Sequence, residues 1–237
     1  MGSFSPDDGW TIPHLAAGGG FAATLQVLNL AARPARVQIR FFDDLGRPLP
    51  LPAGTGDTFG FSGDLPAGGR CDVSITDGGP NIRSGYARIR SAPPNSIAVT
   101  ALLRRKLAEG PESYAALPPG VRWRDRTTTP FLNWNGLVTA LAQVNDTPVA
   151  QTLRITARDE EGIAVCREAI LLAPGQHQAF LLADRLPCTT ERRGLLEFEA
   201  THPQGLAAAI LVFHASGSFT ALTPAAAENT LRTPPKK

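Results

Sequence analysis

The feature that most constrains this chain is that its pattern is written twice. "TLQVLNLAARPARVQIRFFDDLG" (24–46) lies over "ALAQVNDTPVAQTLRITARDEEG" (140–162) without a gap. Asn29 falls on Asn145, Asp43 on Asp159 and Gly46 on Gly162. "LPAGGR" (65–70) then lies over "LAPGQH" (172–177), and "GYARIRSAPPNSIAVTALLR" (85–104) over "GLLEFEATHPQGLAAAILVF" (194–213). Finally "SYAALPP" (113–119) lies over "SFTALTP" (218–224). Four blocks in one order make chance a poor explanation. Identity between the copies is low, so what they share is an order of strands and turns.

The blocks read as β structure. Val37, Ile39 and Phe41 alternate with Arg36, Gln38 and Arg40, and Leu153 and Ile155 alternate with Arg154 and Thr156. That is period two with one face buried. Tyr86, Arg88 and Arg90 alternate likewise with Ala87 and Ile89. "DDLG" and "DEEG" close the first strands as hairpin turns, because Asp bonds its own backbone and Gly accepts positive φ. Ile97–Leu103 and Leu206–Phe213 are nearly continuous apolar runs, which predicts central strands buried on both faces. "APPNS" and "THPQG" are the turns that feed them, since Pro cannot donate to a ladder.

About seven short strands per unit, spaced by eight to twelve residues, are the signature of a sandwich. The expected fold is therefore all-β: two tandem Ig-like or fibronectin-like antiparallel β-sandwich domains related by internal duplication. Residues 1–12 read as a lead-in, 13–119 as the first sandwich, 120–129 as a linker, 130–225 as the second sandwich and 226–237 as a flexible tail. Ala179–Leu186 offers the one short helical option in the second unit.

Composition agrees. The 237 residues include 21 Pro and 23 Gly, which favour many short strands joined by turns. There are 23 basic and 21 acidic residues, so no overall field draws the chain to nucleic acid or anionic lipid. No run of about 18 apolar residues is present, so no membrane span is expected. The Met1-Gly2-Ser3 start reads as an expression start placed on a mature chain, so the missing leader says little about compartment.

The order "GGGFAATLQVLN", "FFDDLGRPLPL", "LPAGGR", "SGYARIRS", "IAVTALLR" resembles tandem modules in secreted and surface proteins of environmental bacteria, the acidobacteria and their relatives. The resemblance covers Pro13–Pro119 well and Pro130–Pro224 more loosely, where "TARDEEG" replaces "RFFDDLG". It implies a β-sandwich and extracellular or cell-surface placement, with no defined activity. No cofactor is expected.

Chemistry-bearing motifs are sparse. In "HLAAGGGFAATLQVLN" (14–29) a strand follows the glycines, whereas a phosphate loop needs a helix there. Gly20 has a counterpart in Gly136 and reads as a strand-opening residue of unusual φ, with Gly18 and Gly19 as local slack. "GFSGD" (60–64) lacks the spacing of a serine elbow. His14, His177, His202 and His214 lie on separate blocks without an H-x-x-x-H pair, so no metal is expected. Asp43/Asp44 and Asp159/Glu160/Glu161 place hard oxygens at turns, yet no calcium loop is present and turn chemistry accounts for them. No catalytic residue is expected.

The candidate ligand-binding residues are Trp10, Trp123, Trp134, Arg122 and Arg124. All three tryptophans lie outside the strands of strongest pattern. Each either plugs a domain end or offers an aromatic plane to a sugar or a protein partner, and the plug is preferred because Trp is usually largely buried. "RWRDR" (122–126) sets Arg122 and Arg124 beside Trp123, a pairing able to grip an acidic polymer, with solvated or paired Arg as the default. Cys166 and Cys188 are able to pair within the second half, leaving Cys71 odd, though three buried thiols are the preferred reading.

The leading functional expectation is a non-catalytic extracellular module for structure, adhesion or assembly, with a protein partner or self-assembly and no nucleic acid. A carbohydrate-binding module using exposed Trp is the alternative, with a polysaccharide as ligand. A two-domain periplasmic assembly chaperone is a third, disfavoured because such chaperones do not repeat one pattern. Fold alone decides none of these.

Overall fold

In the computed structural model, residues 9–107, 112–120, 127–202 and 205–226 are described. The first unit runs through β1 (Trp10–Ala17), β2 (Phe21–Asn29), β3 (Ala35–Phe42), β4 (Leu51–Ala53), β5 (Gly56–Thr58), β6 (Gly60–Leu65), β7 (Arg70–Ile75), β8 (Arg83–Ala92), β9 (Ile97–Arg105) and β10 (Ser113–Leu117). The second comprises β11 (Thr127–Asn133), β12 (Leu137–Asn145), β13 (Gln151–Arg158), β14 (Ala164–Leu172), β15 (His177–Leu181), the single helical turn α1 (Leu182–Arg185), β16 (Arg192–Ala200), β17 (Leu206–His214), β18 (Phe219–Leu222) and β19 (Ala225–Ala226).

Each unit is an antiparallel sandwich. The first packs sheet β1-β8-β3-β6 on sheet β10-β9-β2-β7-β4-β5; the second packs β19-β11-β16-β13-β14 on β15-β12-β17-β18. The orders correspond strand for strand. β1-β8-β3-β6 matches β11-β16-β13-β14, and β10-β9-β2-β7 matches β18-β17-β12-β15. The units differ in their insertions: the β4–β5 hairpin belongs to the first and α1 to the second. Of the helical option at Ala179–Leu186, Leu182–Arg185 is helical, whereas Ala179–Leu181 continue β15 against β12.

Strands begin earlier than the prolines suggest. β1 starts at Trp10, within the expected lead-in, and β11 at Thr127, within the expected linker. Pro13 lies where the β1–β8 register shifts between Ile12 and Leu15, so its missing N–H interrupts no regular pair. Pro130 faces Leu195 of β16 on one side, while β19 pairs only with Thr127 and Thr128, so that edge is unpaired at Pro130.

The turns form as their residues dictate. Leu45 and Arg47 donate backbone N–H bonds to the Asp43 carboxylate at 2.9 Å each, and Gly46 has φ of 75°. In the second unit Ile163 donates to Asp159 at 2.8 Å and Gly162 has φ of 81°. The triple glycine is more constrained than expected. Gly20 and Gly136 both have positive φ, 87° and 77°. Yet Gly18 and Gly19, read as slack, also have positive φ, 97° and 60°. A Cβ on Gly18 would stand 2.1 Å from the Asn81 carbonyl oxygen, so close approach of the 79–82 loop excludes a side chain there.

Asn29 and Asn145 do the same work in their units. Both are buried at the end of the equivalent strand. The Asn29 amide donates to the carbonyls of Arg33, Leu65 and Pro66 at 2.8–3.1 Å. The Asn145 amide donates to those of Val149, Leu172 and Ala173 over the same range, 2.8–3.1 Å. Their side-chain oxygens accept from Ala31 N and from Thr147 N. One side chain thus ties separate chain segments together at the end of each sandwich, and supplies donors to carbonyls there.

The cores do not separate along the boundary between units. Ile210, Leu141 and Phe198 belong to the second core. Ala142, Ala209, Leu211 and Phe219, on the opposite face of the same sheet, belong to a cluster with Ile12, Leu15, Leu103 and Ala115 of the first. The β12–β17–β18 surface of the second unit is therefore buried on both sides. One side packs on its own sandwich and the other on β1 and β10 of the first unit.

Candidate functional site

Of the residues singled out in the sequence, Trp10 and Trp134 line separate clefts. Trp10 opens β1, half-buried against the first core, and borders a cleft of about 420 Å³ with Arg88, Arg90, Asp146 and Pro174. It acts in part as a plug and in part as a cleft wall. Trp134 is 48% exposed in the turn before β12, with the Arg193 guanidinium 5.0 Å over its ring. Around it a cleft of about 450 Å³ is lined by Asp159, Glu160, Glu161 and Arg192. Trp123, Arg122 and Arg124 lie outside the described residues. Cys166 and Cys188 form a disulfide with Cα atoms 6.2 Å apart, which pins β14 to the segment after α1, and Cys71 is free.

The acidic turns are occupied by partners within the protein. Asp43 pairs with Arg47 at 2.8 Å, and Glu160 with Arg193 at 2.8 Å. Burial raises the Asp43 pKa, but the hydrogen bonds from Arg47 and Leu45 and the Arg47 charge together outweigh it and leave the group below its ordinary value. Among the described residues, no three His, Cys, Asp or Glu side chains gather as a metal would require. No helix among them is long and apolar enough to cross a membrane.

Folding instead assembles a polar joint between the units, from residues far apart in the chain. Asp146 takes hydrogen bonds from Thr11 Oγ1 at 2.7 Å and Arg88 Nε at 2.6 Å. The Tyr86 hydroxyl donates to the Gly175 carbonyl at 2.9 Å. His177 Nδ1 meets the Asp44 carboxylate at 2.7 Å, and its backbone N–H donates to the Asp44 carbonyl at 3.1 Å. A carboxylate only accepts, so the proton of this contact sits on Nδ1. His14 stacks on His177 with centroids 5.7 Å apart, and Tyr86 stacks on His177 at 6.1 Å. Burial holds the His14 pKa down to about 3; His177 adds to the effect and Asp44 opposes it. Burial pushes the Tyr86 phenol up to about 12. Sequence reading placed the histidines on separate blocks and so missed this cluster. Nothing in the spacing of His14, Asp44 and His177 signals it.

Beyond the joint, the same sheet carries a row of arginines on its outer face. Period two puts Arg36, Gln38, Arg40 and Phe42 of β3 on that face, with Tyr86, Arg88 and Arg90 of β8. Register sets Arg40 opposite Arg88, Gln38 opposite Arg90 and Phe42 opposite Tyr86. Like charges directly opposite repel. Arg88 is neutralised by Asp146, whereas Arg40 and Arg90 have no ionic or hydrogen-bond partner among the described residues. Gln38, Arg40, Phe42, Arg88 and Arg90 line a hollow of about 250 Å³. Gln38, Arg40 and Phe42 also border a groove of about 680 Å³ walled by Phe59, Phe61 and Pro48. The alternation was legible in the sequence; the register that juxtaposes the two rows was not.

No protein-family model matches the chain, and no curated protein sequence matches it. Among solved structures, a candidate secreted protein of Parabacteroides distasonis is similar at 9% identity and a TM-score of 0.20, over 87% of this chain and 80% of that one. A member of glycosyl hydrolase family 2 from Bacteroides cellulosilyticus is similar at 8% identity and a TM-score of 0.18, over 88% of this chain. This chain spans 27% of that enzyme's length. Likeness at this level says nothing about activity or ligand, and what is established is a tandem antiparallel β-sandwich with a disulfide in its second unit.

Proposed function

We propose that this protein is a non-catalytic extracellular module of surface structure, adhesion or assembly, built by duplication of one sandwich pattern. The observation that carries the reading is the joint. One face of β12, β17 and β18 is spent on the first unit, and Thr11, Tyr86, Arg88, Asp146 and His177 lock the contact with hydrogen bonds. Two sandwiches joined in this way behave as one stiff body, the property a strut or presenting platform needs. The Cys166–Cys188 bridge fits an oxidising compartment outside the cytosol. Surface labelling of intact native cells should modify the protein, and a broad panel of hydrolase substrates should show no turnover. Turnover that one point substitution abolishes, or labelling only after lysis, would overturn the proposal. A second reading, carbohydrate binding, is favoured by the half-exposed Trp134 ring above its cleft. Loss of glycan-array signal in Trp134→Ala would establish it.

A further inference from the structure

We infer that the outer face of sheet β1-β8-β3-β6 binds a uronic-acid-containing polysaccharide, through Arg40 and Arg90 as carboxylate forks and the exposed Phe59 ring of the adjoining groove as a sugar-stacking wall. The inference rests on the extracellular reading only in placing the protein where such a polymer is met. Its chemistry is argued from the face itself.

Arg40 and Arg90 are the starting point. They project from neighbouring strands on one side of the sheet, without partners among the described residues, and Arg88 adds a third guanidinium directly opposite Arg40. Asp146 neutralises Arg88, so the uncompensated charge here is that of Arg40 and Arg90, and a bound anion relieves it. A guanidinium presents a planar fork that matches the two oxygens of a carboxylate. Gln38 faces Arg90 across the strands and brings both a donor and an acceptor, the pair that sugar hydroxyls use.

The aromatic wall separates this face from a mere basic patch. Gln38, Arg40 and Phe42 border both the arginine-lined hollow and the larger groove, so the two are continuous. Phe59 is 57% exposed in that groove, an orientation that core packing alone does not explain. A ligand that answers both halves needs anionic groups and apolar ring faces at one scale. Uronate residues supply a carboxylate and a C–H ring face in each unit. A groove of about 680 Å³ is within the ordinary size range for small-molecule sites. Nucleic acid is disfavoured because the chain as a whole carries a net charge of only +2.

Isothermal titration of the intact protein with a defined uronate oligosaccharide prepared from alginate tests the inference. Binding is expected with the uronate and not with a neutral dextran oligosaccharide of equal length. The double variant Arg40→Ala, Arg90→Ala should weaken it at least about tenfold. Arg90→Lys, which keeps the charge but loses the fork, should weaken it by a smaller factor. Phe59→Ala should weaken it several-fold with the melting temperature unchanged. Absence of binding, binding that survives the double variant, or equal affinity for DNA, polyglutamate or a sulfated glycan would each overturn the inference. Surface labelling reads compartment alone, so failure of this titration and failure of the extracellular reading are told apart.

Discussion

β9 and β17 hold the same place in their units, yet they meet different surroundings. On the inner face both are apolar: Ile97, Val99 and Ala101 in one, Leu206, Ala208 and Ile210 in the other. On the outer face Ala98, Thr100, Leu102 and Arg104 of β9 stand where β17 has Ala207, Ala209, Leu211 and Phe213. The first set is exposed or half-buried; Ala207, Ala209 and Leu211 are buried, because they pack on the first unit. An apolar run along a strand therefore has two meanings. In β9 the outer face tolerates Thr and Arg because solvent covers it, and in β17 the continuous run records a neighbouring domain.

The contrast predicts where the molecule breaks. The largest effect is expected from Asn145→Ala. It removes the donor to three carbonyls and also the acceptor of the Gln151 amide, 3.0 Å away. Thr147 and Gln176 still serve Val149 O, Ala173 O and the Gln151 amide, so the loss of these buried bonds should cost about 3 kcal/mol in chemical denaturation. Asn29→Ala should cost less, because no buried glutamine depends on Asn29. A smaller loss for Asn145 than for Asn29 would contradict the network described for the second unit.

The disulfide is the next asymmetry, since the first unit has none. Cys166 and Cys188 are 22 residues apart, and opening a loop of that length should cost about 3 kcal/mol in Cys188→Ser. The melting temperature of the native protein should drop on reduction, whereas that of Cys188→Ser should not respond to a reductant. Leu211→Ala and Leu102→Ala then test the two outer faces directly. The former should cost about 2–3 kcal/mol, as expected for a buried leucine. The latter should cost under about 1 kcal/mol because its face is half solvated. Equal costs would mean that the joint contributes little to stability.

Gln143 gives a smaller effect of opposite sign. It is fully buried in the second unit, neither amide atom has a partner among the described residues, and its counterpart in the first is the core residue Val27. Gln143→Leu should raise stability by about 1 kcal/mol, by removing unsatisfied polar atoms at little change in volume. The smallest effect is a pH dependence. His14 has a folded pKa of about 3 against its ordinary 6.5, so the unfolded chain takes up a proton that the folded chain refuses. The His14 contribution is complete above pH 6.5 and declines as pH falls toward 3. The slope is at most about 1.4 kcal/mol per pH unit. His14→Gln should flatten the denaturation profile between about pH 6.5 and pH 5, above the range where carboxylates titrate.

What the sequence disclosed was local. Val37, Ile39 and Phe41 against Arg36, Gln38 and Arg40 defined β3, and the Asp and Gly of "DDLG" and "DEEG" defined its turn and that of β13, because these depend on residues within a few positions. Asn29 and Asn145 were visible as a shared feature, but their carbonyl partners at Leu65 and Leu172 were not, since only the folded hairpins bring those segments near. The joint was least legible. Thr11 and Asp146 are 135 positions apart, and Asp44 and His177 are 133 apart, separations at which one sequence carries no pairing signal. The same limit hid the arginine face, which needs the β3–β8 register to exist at all.

The joint also has a consequence for assembly. It is a head-to-tail contact between two bodies of like design, with the β12–β17–β18 surface of one meeting the β1 and β10 side of the other. Contacts of that kind close into rings or propagate as open filaments, because each added body presents again the surface that recruited it. Here the surface changes between copies. Where the second unit offers Ala209, Leu211 and Phe213, the first offers Thr100, Leu102 and Arg104. The first unit therefore accepts a neighbour on one side and presents solvated polar side chains on the other. The stacking surface is thus apolar and covered in the second unit, and half-solvated in the first.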